Sequence, residues 1–183
     1  MKLKITLALI LYILGAVYLL SPTPQVPDLD GGVLSDEPGD TWQNPDQKAF
    51  YTNRVRGEVI PEMQEKYSSS IFGITIPTYR LNYRPEESYQ YVRDQVKSYY
   101  LEEIIYPLKE SLFVNGWEPT NSPEFRHLED KNKPRVTFKT ITYLSKITLV
   151  PVNSSVWARL LVWALVFPAG YLTCLSLKRS IKV

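Results

Sequence analysis

The sequence is poor in the residues that carry most reaction chemistry. Its 183 residues include one histidine, His127, and one cysteine, Cys174. A single imidazole excludes a histidine cluster for a metal ion and a two-histidine relay. His127 sits in the charged run Glu124-Phe-Arg-His-Leu-Glu-Asp130, where a solvated side chain is expected. The only thiol lies inside an apolar run, so no disulfide can brace the rest of the chain and a Cys–His couple is not expected. The eight glycines form no GxGxxG, GxxxxGK[ST] or GxSxG pattern, which leaves phosphate cradles and nucleophile elbows without support. No cofactor is expected.

Charge is missing from particular stretches. No acid lies outside Asp28–Asp130, and no base lies between Lys4 and Lys48. The formal net charge of +2 therefore averages a middle region of −4, fifteen bases against nineteen acids, with six basic residues at the ends: Lys2, Lys4, Arg159, Lys178, Arg179 and Lys182. A nucleic-acid binder carries its positive charge on the folded domain, so this partition argues against a nucleic-acid partner and toward a lipid bilayer.

Two apolar runs carry that expectation. Ile5 to Leu20 is uncharged; as a helix it spans about 24 Å, short of a hydrocarbon core of roughly 30 Å unless Lys4 snorkels and the bilayer thins. A cleaved signal peptide is the competing reading, though Leu19 and Pro24 make poor neighbours for a cleavage site. Leu160 to Leu177 is uncharged over eighteen residues and ends at Lys178-Arg179, which meets the transmembrane criterion directly. Pro168 should kink it, and Gly170, Thr173 and Cys174 form a small-residue patch where another helix could approach. The lysine and arginine distribution puts both termini in the cytoplasm. The expected organisation is a cytoplasmic N-terminus (1–4), a transmembrane helix or signal anchor (5–21), a disordered Pro- and Asp-rich stalk (22–47), an extracytoplasmic domain (48–155), a second transmembrane helix (156–177) and a cytoplasmic tail (178–183).

The stalk expectation rests on five prolines, six acids and no base in residues 21–47, too little apolar surface to offset ordering entropy. Its acids do not make a calcium loop: with Asp28 first, Val33 stands where glycine is needed and Gly39 where a bidentate glutamate is needed. In the following domain, Val55, Val59, Met63 and Tyr67 mark a helix from about Thr52 to Tyr67, with Pro61 as a bend or break. Ile71 to Ile76 reads as a strand. Pro85 to Val114 reads as one long helix with Pro85 in its first turn, a kink at Pro107 and a stop at Asn115-Gly116. Arg93, Asp94 and Lys97 fall on its outer side. Arg135–Tyr143 and Lys146–Val150 read as a hairpin turning near Leu144-Ser145. The expected fold class is α+β, a long kinked helix packed on a small antiparallel sheet, flanked by N- and C-terminal transmembrane helices.

Tyrosine is abundant, with thirteen residues, and its rigid apolar ring with a polar tip suits interfaces. Tyr79, Arg80, Tyr83 and Arg84 form a candidate contact surface for an anionic headgroup, a glycan or a partner protein. Glu103, beside the expected kink, is a weaker candidate for chemistry. The expectation is a non-catalytic, membrane-anchored module that assembles with a membrane-protein partner or as a homo-oligomer; a ligand- or glycan-binding domain and an enzyme without a linear motif are the alternatives.

Overall fold

A computed structural model describes residues 2–92, 98–122, 125 and 127–180. In chain order the elements are α1 (Lys2–Leu20), β1 (Val33–Leu34), β2 (Lys48–Thr52), α2 (Arg56–Lys66), β3 (Ser70–Ile71), β4 (Ile74–Thr75), β5 (Tyr79–Tyr83), α3 (Ser88–Tyr91), β6 (Tyr100–Tyr106), β7 (Glu110–Trp117), β8 (Val136–Phe138), β9 (Ile141–Tyr143), β10 (Ser145–Asn153) and α4 (Val156–Ser180). They divide into two compact units: Met1–Pro22 with Asn153–Val183, and Thr23–Val152.

In the first unit α4 is long and apolar enough to cross a bilayer, whereas the apolar part of α1, Thr6–Leu20, is shorter than such a span requires. One candidate span therefore stands where the sequence suggested two. The two helices pack where Gly15 of α1 admits the Trp163 ring, a site at which any β-carbon would collide with the indole. Tyr12 stacks on Trp163 and meets Phe167 edge-on, with ring centroids 6.1 and 5.1 Å apart. The Trp163 Nε1–H donates to the Tyr12 carbonyl at 3.1 Å. Helical structure in α4 continues on both sides of Pro168.

The second unit is a mixed α/β fold around a six-stranded sheet in the order β1-β2-β10-β7-β6-β5. β1 with β2, β2 with β10, β5 with β6 and β6 with β7 all pair antiparallel. Alternation along the strands gives the sheet two faces. On one lie Phe50, Tyr100, Ile104, Tyr106, Leu112, Val114, Ile147 and Leu149, buried against Val59, Ile60 and Met63 of α2 and against Tyr67. The Tyr106 hydroxyl donates to the Tyr67 carbonyl at 3.1 Å. The other face carries two smaller clusters: Tyr51 with Phe138 and Tyr143, and Leu101 with Phe113 and Val92.

The largest departure from expectation is in residues 85–117. Pro85 does open a short helical stretch, but it ends with α3 at Tyr91, and residues 100–117 form the hairpin β6–β7. Pro107 makes a turn, not a kink: Lys109 N–H donates to the Tyr106 carbonyl, and Leu108 takes φ 58°, the pattern of a type II turn with proline at its second position. β6 is buried on its α2 face and partly covered on the other, where Leu101 is buried and Glu103 and Ile105 are half-buried, so its apolar residues run together and blur the period-two signal of a half-exposed strand. Asn115-Gly116 ends no helix. Gly116 lies opposite Tyr100, whose ring occupies the space a β-carbon would need. Arg93, Asp94 and Lys97 lie outside the described residues.

Three smaller differences follow the same logic. α2 runs through Pro61 without a break. The Ile71–Ile76 stretch is a tight hairpin, β3–β4, turning at Phe72 and Gly73 with φ 50° and 79°. The hairpin expected to turn at Leu144-Ser145 turns at Lys139-Thr140 instead, with φ 47° and 70°, joining β8 to β9. β10 pairs with the distant β2.

Residues 22–47 are not a disordered stalk. β1 extends the sheet edge, and Leu29 is buried in the main core with Val26 packed beside it. The acids find bases: Lys48 donates to Asp28 at 2.7 Å, Lys66 to Asp30 at 2.5 Å, and Lys146 to Asp40 at 2.7 Å. The Ser35 hydroxyl donates to Asp40, and the Tyr51 hydroxyl donates to Glu37, both at 2.6 Å. That bond from Tyr51 holds the Glu37 carboxyl below its ordinary range, while burial and Glu37 push the Tyr51 hydroxyl up to about 12. Because Leu29 is 3% exposed, Leu29→Ala is expected to cost about 2–5 kcal/mol in urea unfolding of the detergent-solubilised chain. Unchanged stability would return this segment to the role of a linker.

Candidate interaction surface

β5 is the last strand of the sheet: it pairs with β6 on one side, and among the described residues no strand adds to its other side. Pro77 and Pro85 bracket it in sequence. Neither proline can donate to a ladder, so the pairing edge is limited to the residues between them. Four of its five residues are exposed.

Arg80 and Asn82 lie on the α2 side of the sheet, opposite Ile104 and Glu102. The Glu102 carboxylate is buried, its side chain 3% exposed, and is held by two guanidinium groups. Arg56, at the start of α2, donates from Nε to Glu102 Oε1 at 2.6 Å, and Arg80 Nε lies 3.2 Å from Oε2. Arg56 Nη2 also donates to Asn82 Oδ1 at 3.1 Å. The carboxylate is hydrogen-bonded through Oε1 to Arg56, while Oε2 has the charge of Arg80 nearby but no hydrogen bond among the described residues; removing a partner from a buried ion pair typically costs about 3–5 kcal/mol. Arg80 therefore leans across the strand toward Glu102 while half of its side chain stays exposed to solvent.

Glu118 closes the same corner. It is buried, and its carboxylate accepts from the Arg56 backbone N–H at 2.5 Å and from Asn121 Nδ2 at 2.9 Å, satisfying an orphan donor at the α2 N-terminus. Tyr100 lies beneath the Arg56 guanidinium, 5.3 Å from ring centroid to Cζ, and its buried hydroxyl meets no hydrogen-bond partner among the described residues.

On the opposite face of β5, Tyr79 is 62% exposed and Leu81 48%. Tyr83 is half-buried in an aromatic cluster with Tyr91 and Phe113, centroids 5.4 and 5.7 Å away, and its hydroxyl donates to Glu103 Oε2 at 2.5 Å. Burial first and Glu103 second raise the Tyr83 hydroxyl well above its ordinary value. Arg84 is exposed at the end of the strand. Thus Tyr79, Arg80 and Arg84 reach solvent, while Tyr83 is the hinge between the surface and the packed cluster. Leu81 and Arg56 belong to no sequence motif, and Glu102, which with Glu103 reads from the sequence as a solvated helical pair, is instead buried on a strand. Reading Tyr100-Leu-Glu-Glu-Ile-Ile-Tyr106 with period two would have placed Glu102 on a buried face beside Tyr100 and Ile104.

The other sequence candidates sit apart from this surface. Gly170 and Cys174 line an open apolar groove in the α1–α4 unit with Ala8 and Tyr12. Thr173 spends its hydroxyl on the Ala169 carbonyl at 2.8 Å. The contact between α1 and α4 is made nearer the start of α4, at Trp163 and Phe167. His127 is exposed. Among the described residues no three His, Cys, Asp or Glu side chains gather as metal ligands.

Two outcomes follow from the Arg56 corner. Burial raises the Glu118 carboxyl above the ordinary glutamate range, with the Asn121 and Arg56 bonds offsetting only part of the rise. The folded state then binds this proton more tightly than the unfolded state, so the contribution is full below pH about 4.5 and is lost as pH rises through the folded value. Glu118→Gln is expected to flatten that part of a stability–pH profile, and an unchanged slope would remove Glu118 as its cause. Tyr100→Phe deletes a hydroxyl without a partner and is expected to be neutral or stabilising in urea unfolding; a loss above about 1 kcal/mol would mean the hydroxyl is bonded.

No family model, no curated protein and no solved structure matches this chain.

Proposed function

We propose that the protein is a membrane-anchored, non-catalytic assembly module that docks a partner protein along the free edge of β5. A terminal strand offers unpaired N–H and C=O groups to an incoming strand, and alternate side chains supply selectivity. The observation that carries the reading is the edge of β5, unpaired among the described residues, with Tyr79 and Leu81 exposed beside it.

The membrane part of the proposal has two spans, with both termini cytoplasmic and Thr23–Val152 outside. It is supported by the apolar α4, by the packing of α1 on α4 through Gly15 and Trp163, and by lysines at the outer ends of both helices. Reading α1 as a span requires a locally thinned bilayer, because its apolar part is short.

Photo-crosslinking from position 79 of the full chain in native membranes tests the docking edge. The expected result is a defined protein adduct from position 79 and none from a position on the exposed side of α2 such as Glu65. A chain that stays monomeric in mild detergent and gives no adduct from position 79 would overturn the reading. Recovery of a mature N-terminus near residue 24 would overturn the two-span arrangement.

A further inference from the structure

The sequence of β5 is Tyr79-Arg-Leu-Asn-Tyr83, a tyrosine at each end, a polar residue inside each tyrosine and a leucine at the centre. This pattern reads the same in both directions by residue type. An antiparallel strand related by a two-fold axis presents its residues in reverse order, so a strand with such a pattern complements itself. We infer that β5 pairs with β5 of a second copy of this chain about a two-fold axis through Leu81. The inference rests on the reading of β5 as a docking edge and names the occupant.

The register decides the match. With Leu81 opposite Leu81 of the second copy, Tyr79 faces Tyr83 twice and Arg80 faces Asn82 twice. All the apolar residues then lie on one face of the joined sheet, where Tyr79 and Leu81 are exposed in the single chain. Cross-strand aromatic and aliphatic pairs are the arrangement that stabilises a sheet face. On the other face no like charges meet, and each Arg80 remains beside its own Glu102.

The neighbouring registers that keep the faces matched are worse. Centring the axis on Arg80 sets the two Arg80 side chains opposite each other. Centring it on Asn82 sets Arg80 opposite Arg84. Like charges directly opposite are destabilising, so of these three centres charge favours Leu81. The contact is short, bounded by Pro77 and Pro85, and buries less than a standard interface. Anchoring both copies in one bilayer compensates, because confinement raises their effective concentration.

Disulfide trapping in the full-length chain tests both register and partner. In a Cys174→Ser background, Leu81→Cys is expected to give a disulfide-linked dimer under mild oxidation in native membranes. Tyr79→Cys alone is expected to give none, because the two copies of position 79 lie four residues apart along the pair. Equal dimer from both variants would reflect random collision and overturn the register. Leu81→Arg places two guanidiniums at the axis and is expected to convert the detergent-solubilised dimer to monomer by native mass spectrometry. No dimer from Leu81→Cys, with position 79 still crosslinking to a different protein, would overturn self-pairing and keep the docking edge; no dimer and no adduct would overturn both.

Discussion

The hairpin β6–β7 is covered on both faces, β7 almost completely and β6 with only Glu103 and Ile105 half-buried, and the Thr23–Val152 unit is organised by that burial. Tyr100, Ile104, Tyr106, Leu112 and Val114 pack on α2, while Leu101 and Phe113 pack on the opposite side with Val92. A strand buried on both sides must have neighbours in the sheet to satisfy its backbone, because unpaired buried N–H and C=O groups are costly. β10 and β5 supply them, β10 beside β7 and β5 beside β6. The hairpin thereby sets β5 as the outermost strand, with no further strand beside it among the described residues.

The same burial brings a carboxylate into the interior. Glu102 alternates with Tyr100 and Ile104 on the α2 face, so it cannot reach solvent by itself, and it is stabilised by Arg56 and Arg80 closing over it from α2 and β5. The triad ties a helix terminus, a central strand and the edge strand together. It also explains how an arginine can sit in the middle of an exposed edge without blocking it: the side chain leans across the strand toward Glu102. Aromatic packing does the corresponding work on the other face, where Tyr83, Tyr91 and Phe113 anchor the end of β5. β5 is thus held on both faces, while no described strand pairs with its outer edge.

Residues 22–47 show why composition misleads when basic partners are distant in sequence. Taken alone the segment is acidic and proline-rich. In the fold, Lys48, Lys66 and Lys146 converge on its acids, and a single leucine, Leu29, enters the core. Each link joins residues twenty or more positions apart, so no local window contains the compensation. β6 was misread for a related reason. Cover on both faces blurred its alternation, and the apolar positions that remained fit a helical stripe as well as a strand.

Some properties are sums along the chain, and the sequence alone determined those: the acidic middle and basic ends, the apolar helix at the C-terminus, the scarcity of histidine and cysteine. The helix over Val59 and Met63 belongs with them, because its period is local. Strand partners, the turn at Pro107, the burial of Glu102 and the place of β5 at the sheet edge were decided only by the tertiary structure. The contacts responsible link distant segments, such as β2 with β10 and Arg56 with Glu102. Which side of a strand is buried, and which edge is left free, depends on what packs there after the chain has closed on itself.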